Sequence, residues 1–276
     1  MKKITALLVL SIVLFACSSK KEGNMIVQGQ IKGLKKGTLY LQKMKDTLLV
    51  SVDSVALLGK DTFTLTDNVD SPVLYYLTFD GNTTDKRILF FGEKGVITIN
   101  DQVKGFGYAP KITGSKNQAI LDKYNTVSKR FQNQRLEFIK KDFDAKKAND
   151  LDLLKKLEVD YKRLTRRRVL YTTNFALTNA DYEAAPYIAL TEMYDASLKM
   201  LDTVNYSLSP KVKKSTYGKR FQEYLDNIKE ADIVYLQKQL DLNQGIKSTE
   251  YITKEVATER LNAILGEEFT GQSAYS

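Results

Sequence analysis

Arg87-Ile-Leu-Phe-Phe-Gly-Glu-Lys-Gly-Val-Ile-Thr-Ile-Asn100 is two short runs of strand-forming residues around a Gly-Glu-Lys-Gly turn, the pattern of a hairpin. Upstream the pattern repeats. Met25–Ile31, Thr38–Gln42, Leu48–Val55 and Val73–Phe79 are rich in β-branched and aromatic residues, and Thr62-Phe-Thr-Leu-Thr66 alternates polar and apolar. Turn signals punctuate them at Lys35-Lys36-Gly37 and Gly59-Lys-Asp61. Downstream of Ser115 the period changes: Ile120, Tyr124, Val127, Phe131 and Phe138 share one helical face, with Ser115 as N-cap. A second helix starts near Asn149 or Asp150 and carries Leu153, Leu157, Tyr161 and Leu164. A third is predicted from about Ala185 to Leu201, a break at Ser209-Pro210, and a further helix from Tyr217 to Gln239. Strands first and helices after make this an α+β chain: an N-terminal antiparallel β-sandwich or barrel-like domain followed by a helical segment. The expected divisions are a β domain over 25–114, a helical domain over 115–239 and a weakly structured C-terminal helix and tail over 240–276.

Composition excludes whole classes of chemistry. The 276 residues include no His, no Trp and one Cys. Without His there is no Ser-His-Asp triad, Cys-His pair or His-ligated zinc, and one cysteine allows neither an intrachain disulfide nor a Cys-x-x-Cys pair. No cofactor, metal or catalytic residue is expected, and the chain is read as not an enzyme. At 43% hydrophobic residues it has enough apolar side chains for a packed core.

The N-terminus resembles an export signal. Lys2 and Lys3 precede an apolar run over 4–16 that is shorter than the ~20 residues needed to span a bilayer. The run ends in Leu14-Phe15-Ala16-Cys17, similar to the lipobox cut by lipoprotein signal peptidase, with Phe15 bulkier than the usual residue there. The resemblance implies cleavage between Ala16 and Cys17 and lipidation of Cys17 with palmitate-class acyl chains. Two or more such chains hold stably, at about 0.8 kcal/mol per buried CH₂. Residues 18–24 read as a tether, so 1–16 is a signal peptide and 17–24 a flexible link. No Asp follows Cys17, which favours the outer membrane and leaves the face open.

Val27–Leu34, Gly37–Leu41, Val52–Val55, Thr62–Leu65 and Pro72–Tyr76, taken in order, resemble the domain of unknown function DUF4369 found in lipoproteins of Bacteroidota. The resemblance continues through Thr113–Asn117 and Ser215–Lys219. In many such proteins a thioredoxin-fold domain with Trp-Cys-x-x-Cys follows. This chain has no cysteine after Cys17, so no redox residue carries over. The resemblance implies a cell-envelope module that binds or scaffolds. The alternative is an accessory recognition subunit for a separate thioredoxin-fold oxidoreductase.

Among candidate sites the densest charge lies at Lys162, Arg163, Arg166, Arg167 and Arg168. Helical spacing lets Arg163 with Arg166 or Arg167 hold a phosphate or carboxylate. The alternative, favoured by Asp152, Glu158 and Asp160 nearby, is a solvated face. Lys140, Lys141, Lys146, Lys147, Lys155 and Lys156 alternate with acids, as on a solvent-facing helix. Tyr75, Tyr76, Phe79, Phe90 and Phe91 form either an aromatic surface or two opposite faces of a sheet. Asp53 with Asp61, and Glu267-Glu268, lack the fixed separation that carboxylate catalysis needs. Gly105-Phe-Gly107 is too short for a phosphate loop. The expected partners are the membrane, through the N-terminal lipid, and an envelope protein. Nucleic acid is not expected.

Overall fold

A computed structural model describes residues 23–242, 250 and 252–265. The signal sequence, Ala16, Cys17 and the Glu267-Glu268 pair lie outside the described residues. The fold is α+β, as the patterning predicts. Eight strands come first: β1 Met25–Lys32, β2 Lys36–Lys45, β3 Leu48–Leu58, β4 Thr62–Asp67, β5 Val73–Phe79, β6 Asn82–Gly92, β7 Gly95–Gln102 and β8 Lys111–Thr113. They form two four-stranded sheets, ordered β4-β1-β7-β8 and β3-β2-β5-β6, which do not close into a barrel.

Alternation decides what is buried. Phe63 and Leu65 of β4 point inward while Thr62 and Thr64 are exposed. Val27, Ile31, Ile97 and Ile99 of one sheet share a core with Leu39, Leu41, Tyr75, Leu77, Ile88 and Phe90 of the other. Neighbouring strands are antiparallel except β1 and β7, which run parallel with Val27 opposite Ile97. An all-antiparallel expectation is corrected here. After β6 the Gly92–Gly95 turn carries the chain from one sheet to the other, so the hairpin expected over 87–100 does not form, and β7 enters beside β1 in the same direction. Gly29 permits the close approach, since a Cβ there would fall 1.8 Å from the carbonyl oxygen of Ile99.

Seven helices follow among the described residues: α1 Lys116–Ala148, α2 Leu151–Thr178, α3 Ala184–Glu192, α4 Leu198–Ser207, α5 Pro210–Lys213, α6 Thr216–Asp241 and α7 Lys254–Leu265. Ser115 caps α1 by accepting from the Gln118 N–H at 3.0 Å. Asn149, left-handed at φ 52°, ends α1, and Asp150 caps α2, so the two helices form a hairpin with almost no loop. The single helix expected over about 185–201 is two, broken at Met193–Ser197. Arg168 takes the Glu192 carbonyl at 2.5 Å, and the Ala196 N–H turns to Met193 instead. No described helix is long and apolar enough to cross a membrane.

The chain divides into two compact units, one ending at Phe221 and one beginning at Gln222. In the first, Phe90 faces the sandwich core while Phe91 faces the other way. There it joins Ile120, Leu121, Tyr124, Ala184, Ile188 and Tyr217 in a second core. Polar bonds reinforce this seam: Gln118 accepts from the Phe91 N–H at 2.9 Å, and the Tyr217 hydroxyl accepts from the Leu74 N–H at 3.2 Å. The second unit holds the rest of α6 and α7, with an Arg260–Glu250 ion pair at 3.1 Å.

Burial acts on the tyrosines. It pushes Tyr124 and Tyr187 up to about 12, and raises Tyr75, Tyr171 and Tyr217 above the usual 10.0. For Tyr75 the hydrogen bond it donates to Asp67, at 2.6 Å, adds to the effect. These acids are held neutral in the fold. Their contribution to stability is therefore full below pH 10 and is lost as pH rises towards 12. A tyrosinate absorbance titration is expected to show these buried tyrosines ionising late, together with loss of circular dichroism. A single phase near 10 that precedes any loss of structure would contradict it.

Candidate functional site

The distal halves of α1 and α2 form a two-helix arm. Two helices packed together bury one seam only. In the arm that seam is Ala145, Leu157 and Leu164, supported by an edge-to-face contact of Phe138 with Tyr161 at 6.1 Å. Several other apolar side chains of the arm stay exposed, among them Leu136, Ile139 (53%), Phe143, Leu151 (67%) and Val159. Between the helices, along one side of the arm, runs an open apolar groove of about 600 Å³. Phe138, Ile139, Leu151, Leu154, Leu157 and Tyr161 floor it. Arg135, Asp142, Lys146, Lys155 and Glu158 stand around its edge.

A smaller polar pocket of about 190 Å³ shares Arg135 and Tyr161 with the groove. Its organising residue is Arg168. The Arg168 guanidinium donates to both carboxylate oxygens of Asp195 at 2.5 Å and to the Glu192 carbonyl, and stacks over Tyr194 at 5.2 Å. The Glu192 carboxylate accepts from the Tyr124 hydroxyl at 3.5 Å, and that hydroxyl also bonds Thr172 at 2.9 Å. Burial raises the Glu192 carboxyl, partly offset by the Arg168 charge. An acid whose pKa rises on folding favours the fold when protonated, and that contribution is lost as pH climbs above 4.5. Glu192→Gln is therefore expected to be more stable than the parent at pH 7 and equal to it below about pH 4. Denaturant midpoints at the two pH values test this, and a lower midpoint at pH 7 would reject it.

The arginines singled out by spacing are exposed on α2. Arg163 pairs with Asp160 at 3.3 Å, Arg167 reaches Gln134 of α1 at 3.4 Å, and Arg166 is exposed. Arg163 and Arg167 are thus engaged with different partners. Sequence reasoning missed Arg168, although the signal was present. The apolar series Leu157, Tyr161, Leu164 continues by four to residue 168, so this arginine stands in the buried stripe. Lys146 and Lys162 pair with Asp142 and Glu158 one turn away. Asp53 accepts from the Thr66 N–H at 2.9 Å, and Asp61 accepts from Gln30 and from the Gly33 N–H, so both carboxylates are engaged in holding loops and strands. Tyr75 and Phe90 belong to the sandwich core and Phe91 to the helical core. Gly107 donates its N–H to Asp101 within a turn.

Residues 25–121 match the family model of a domain of unknown function, DUF4369. The matched span covers both sheets of the sandwich and the first turn of α1, and the arm lies beyond it. No curated protein and no solved structure matches the chain.

Proposed function

We propose that this chain is a lipid-anchored cell-envelope lipoprotein of the Bacteroidota type, held at the outer membrane through Cys17, and that it is a non-catalytic binding or scaffolding module. The DUF4369 region serves as the rigid base and the helical arm makes the contact. The uncovered apolar groove of the arm carries this reading. Two long helices that leave Ile139 and Leu151 in water gain little for the chain alone, and such a surface is the mark of a docking site. The lipobox supports the anchoring, and the missing His and Cys-x-x-Cys support binding over catalysis.

The test is photo-cross-linking in cells with the full-length lipoprotein. A photoreactive residue is placed at Ile139 or Leu154 in the groove, or at Thr62 on the exposed face of β4 as control. Protein adducts are expected from the groove positions and not from Thr62, and Cys17→Ala is expected to leave the membrane fraction. Absence of any groove adduct would sink the reading. Capture of a Cys-x-x-Cys protein would instead make the chain the recognition subunit of a thiol-disulfide system.

A further inference from the structure

We infer that the arm groove takes one amphipathic helix of a partner protein, flanked by acidic residues, which completes a three-helix bundle with α1 and α2. This rests on the arm being the docking surface. The shape comes first. Arg135 and Lys146 mark the ends of the groove on α1 and lie eleven residues apart, about 16 Å at 1.5 Å per residue, or three helical turns. The floor is made of side chains alone, because the backbone groups of both arm helices are bonded within their helices. An extended segment laid there would bury its own N–H and C=O groups without partners. A helix satisfies its backbone internally and offers apolar residues at i, i+3, i+4 and i+7 to a groove of this kind.

Charge decides between the remaining occupants. Residues 129–167, between the buried Ser128 and the anchored Arg168, hold thirteen Lys and Arg against seven Asp and Glu. Residues 17–276 as a whole carry 40 against 33, so nearly all of the positive excess is on the arm and the rest of the chain is balanced. A second copy would set one basic arm against another. An anionic bilayer is a flat surface and would reach the concave floor of the groove poorly. A partner helix with a Leu/Ile seam and Glu flanks fits both the floor and the charge.

The probes are two labelled designed helices of about three heptads with the same Leu/Ile seam, one flanked by Glu and one by Lys. They are titrated against the full chain reconstituted in zwitterionic nanodiscs, with empty discs as blank. The Glu-flanked helix is expected to bind at least about tenfold tighter, with a preference that shrinks as salt screens the charges. Ile139→Asp with Leu151→Asp, both at exposed positions, is expected to cost at least about tenfold while circular dichroism is unchanged. Equal binding of the two helices, or binding indifferent to the double substitution, overturns the inference. So does tighter association with anionic discs than with either helix, or self-association of the chain that the double substitution abolishes. Groove cross-links to a protein alongside any of these results would leave the docking reading standing and remove only the helix assignment.

Discussion

Asn117→Ala is expected to lower the unfolding free energy by about 3–5 kcal/mol, because three partners lose their bonds at once. Asn117 is buried at the start of α1. Its amide nitrogen donates to Glu93 at 2.7 Å and to Glu183 at 3.2 Å, and its carbonyl accepts from the Ala184 N–H at 2.8 Å. Glu93, from the β6–β7 turn, also accepts from the Lys116 N–H. Glu183 is the most exacting member of the cluster. It is 1% exposed, and its second oxygen makes no hydrogen bond, with the exposed Lys211 ammonium 3.4 Å away as its counter-charge. Alanine strands the Ala184 N–H and removes the donor that two carboxylates share. Asn117→Asp keeps the shape but adds a third carboxylate, so it is expected to be at least as damaging at neutral pH. Guanidinium unfolding monitored by circular dichroism measures both. A loss under about 1 kcal/mol for alanine would show that the cluster does not hold the helices to the sheet.

Phe91→Ala is expected to cost about 4 kcal/mol, and its effect has a location. The ring is fully buried, edge-on to Tyr187 at 5.4 Å and to Tyr217 at 5.9 Å. Phe91 is the sheet's fully buried side chain in this core, with Val73 and Leu74 of β5 packed against it and its other buried members from the helices. Its removal leaves a void where α1, α3 and the start of α6 meet the sheet, while Phe90 still fills the sandwich core. Hydrogen exchange is therefore expected to accelerate in the first turns of α1 and in α3, and to change little in β1 and β7. Phe90→Ala should give the opposite pattern at similar cost. Uniform acceleration in both variants would mean that the two cores open together.

Much of this fold was legible because burial in strands and helices follows local periods. The Thr62–Thr66 alternation put Phe63 and Leu65 inside, and the change of period after Ser115 marked where helices begin. Of the two readings left open for the aromatic run, the structure selects the split, with Tyr75 and Phe90 on one face and Phe91 on the other. Sequence reasoning failed where a partner far along the chain intervened. The helix over 185–201 is broken at Met193–Ser197, where Arg168 from α2 holds the Glu192 carbonyl. Arg168, which spacing did not single out, was drawn into the polar pocket by Asp195 and the Glu192 carbonyl. The groove was hidden for a different reason. Leu153, Leu157 and Tyr161 predict a helix with an apolar face, and that pattern is the same whether the face is covered or left open.

The sequence by itself determined that strands come first and helices after, which residues of Thr62–Thr66 point inward, and that the chain holds no histidine and no pair of cysteines. Those properties depend on the identity and spacing of neighbours along the chain. Only the tertiary structure decided that β1 and β7 run parallel, that Asn117 bonds the Ala184 N–H sixty-seven residues away, and that two helices project as an arm with one seam closed and a groove open. Such features arise from contacts between residues remote in sequence. A periodic pattern states which face of an element is apolar, and the rest of the fold selects what comes to lie against it.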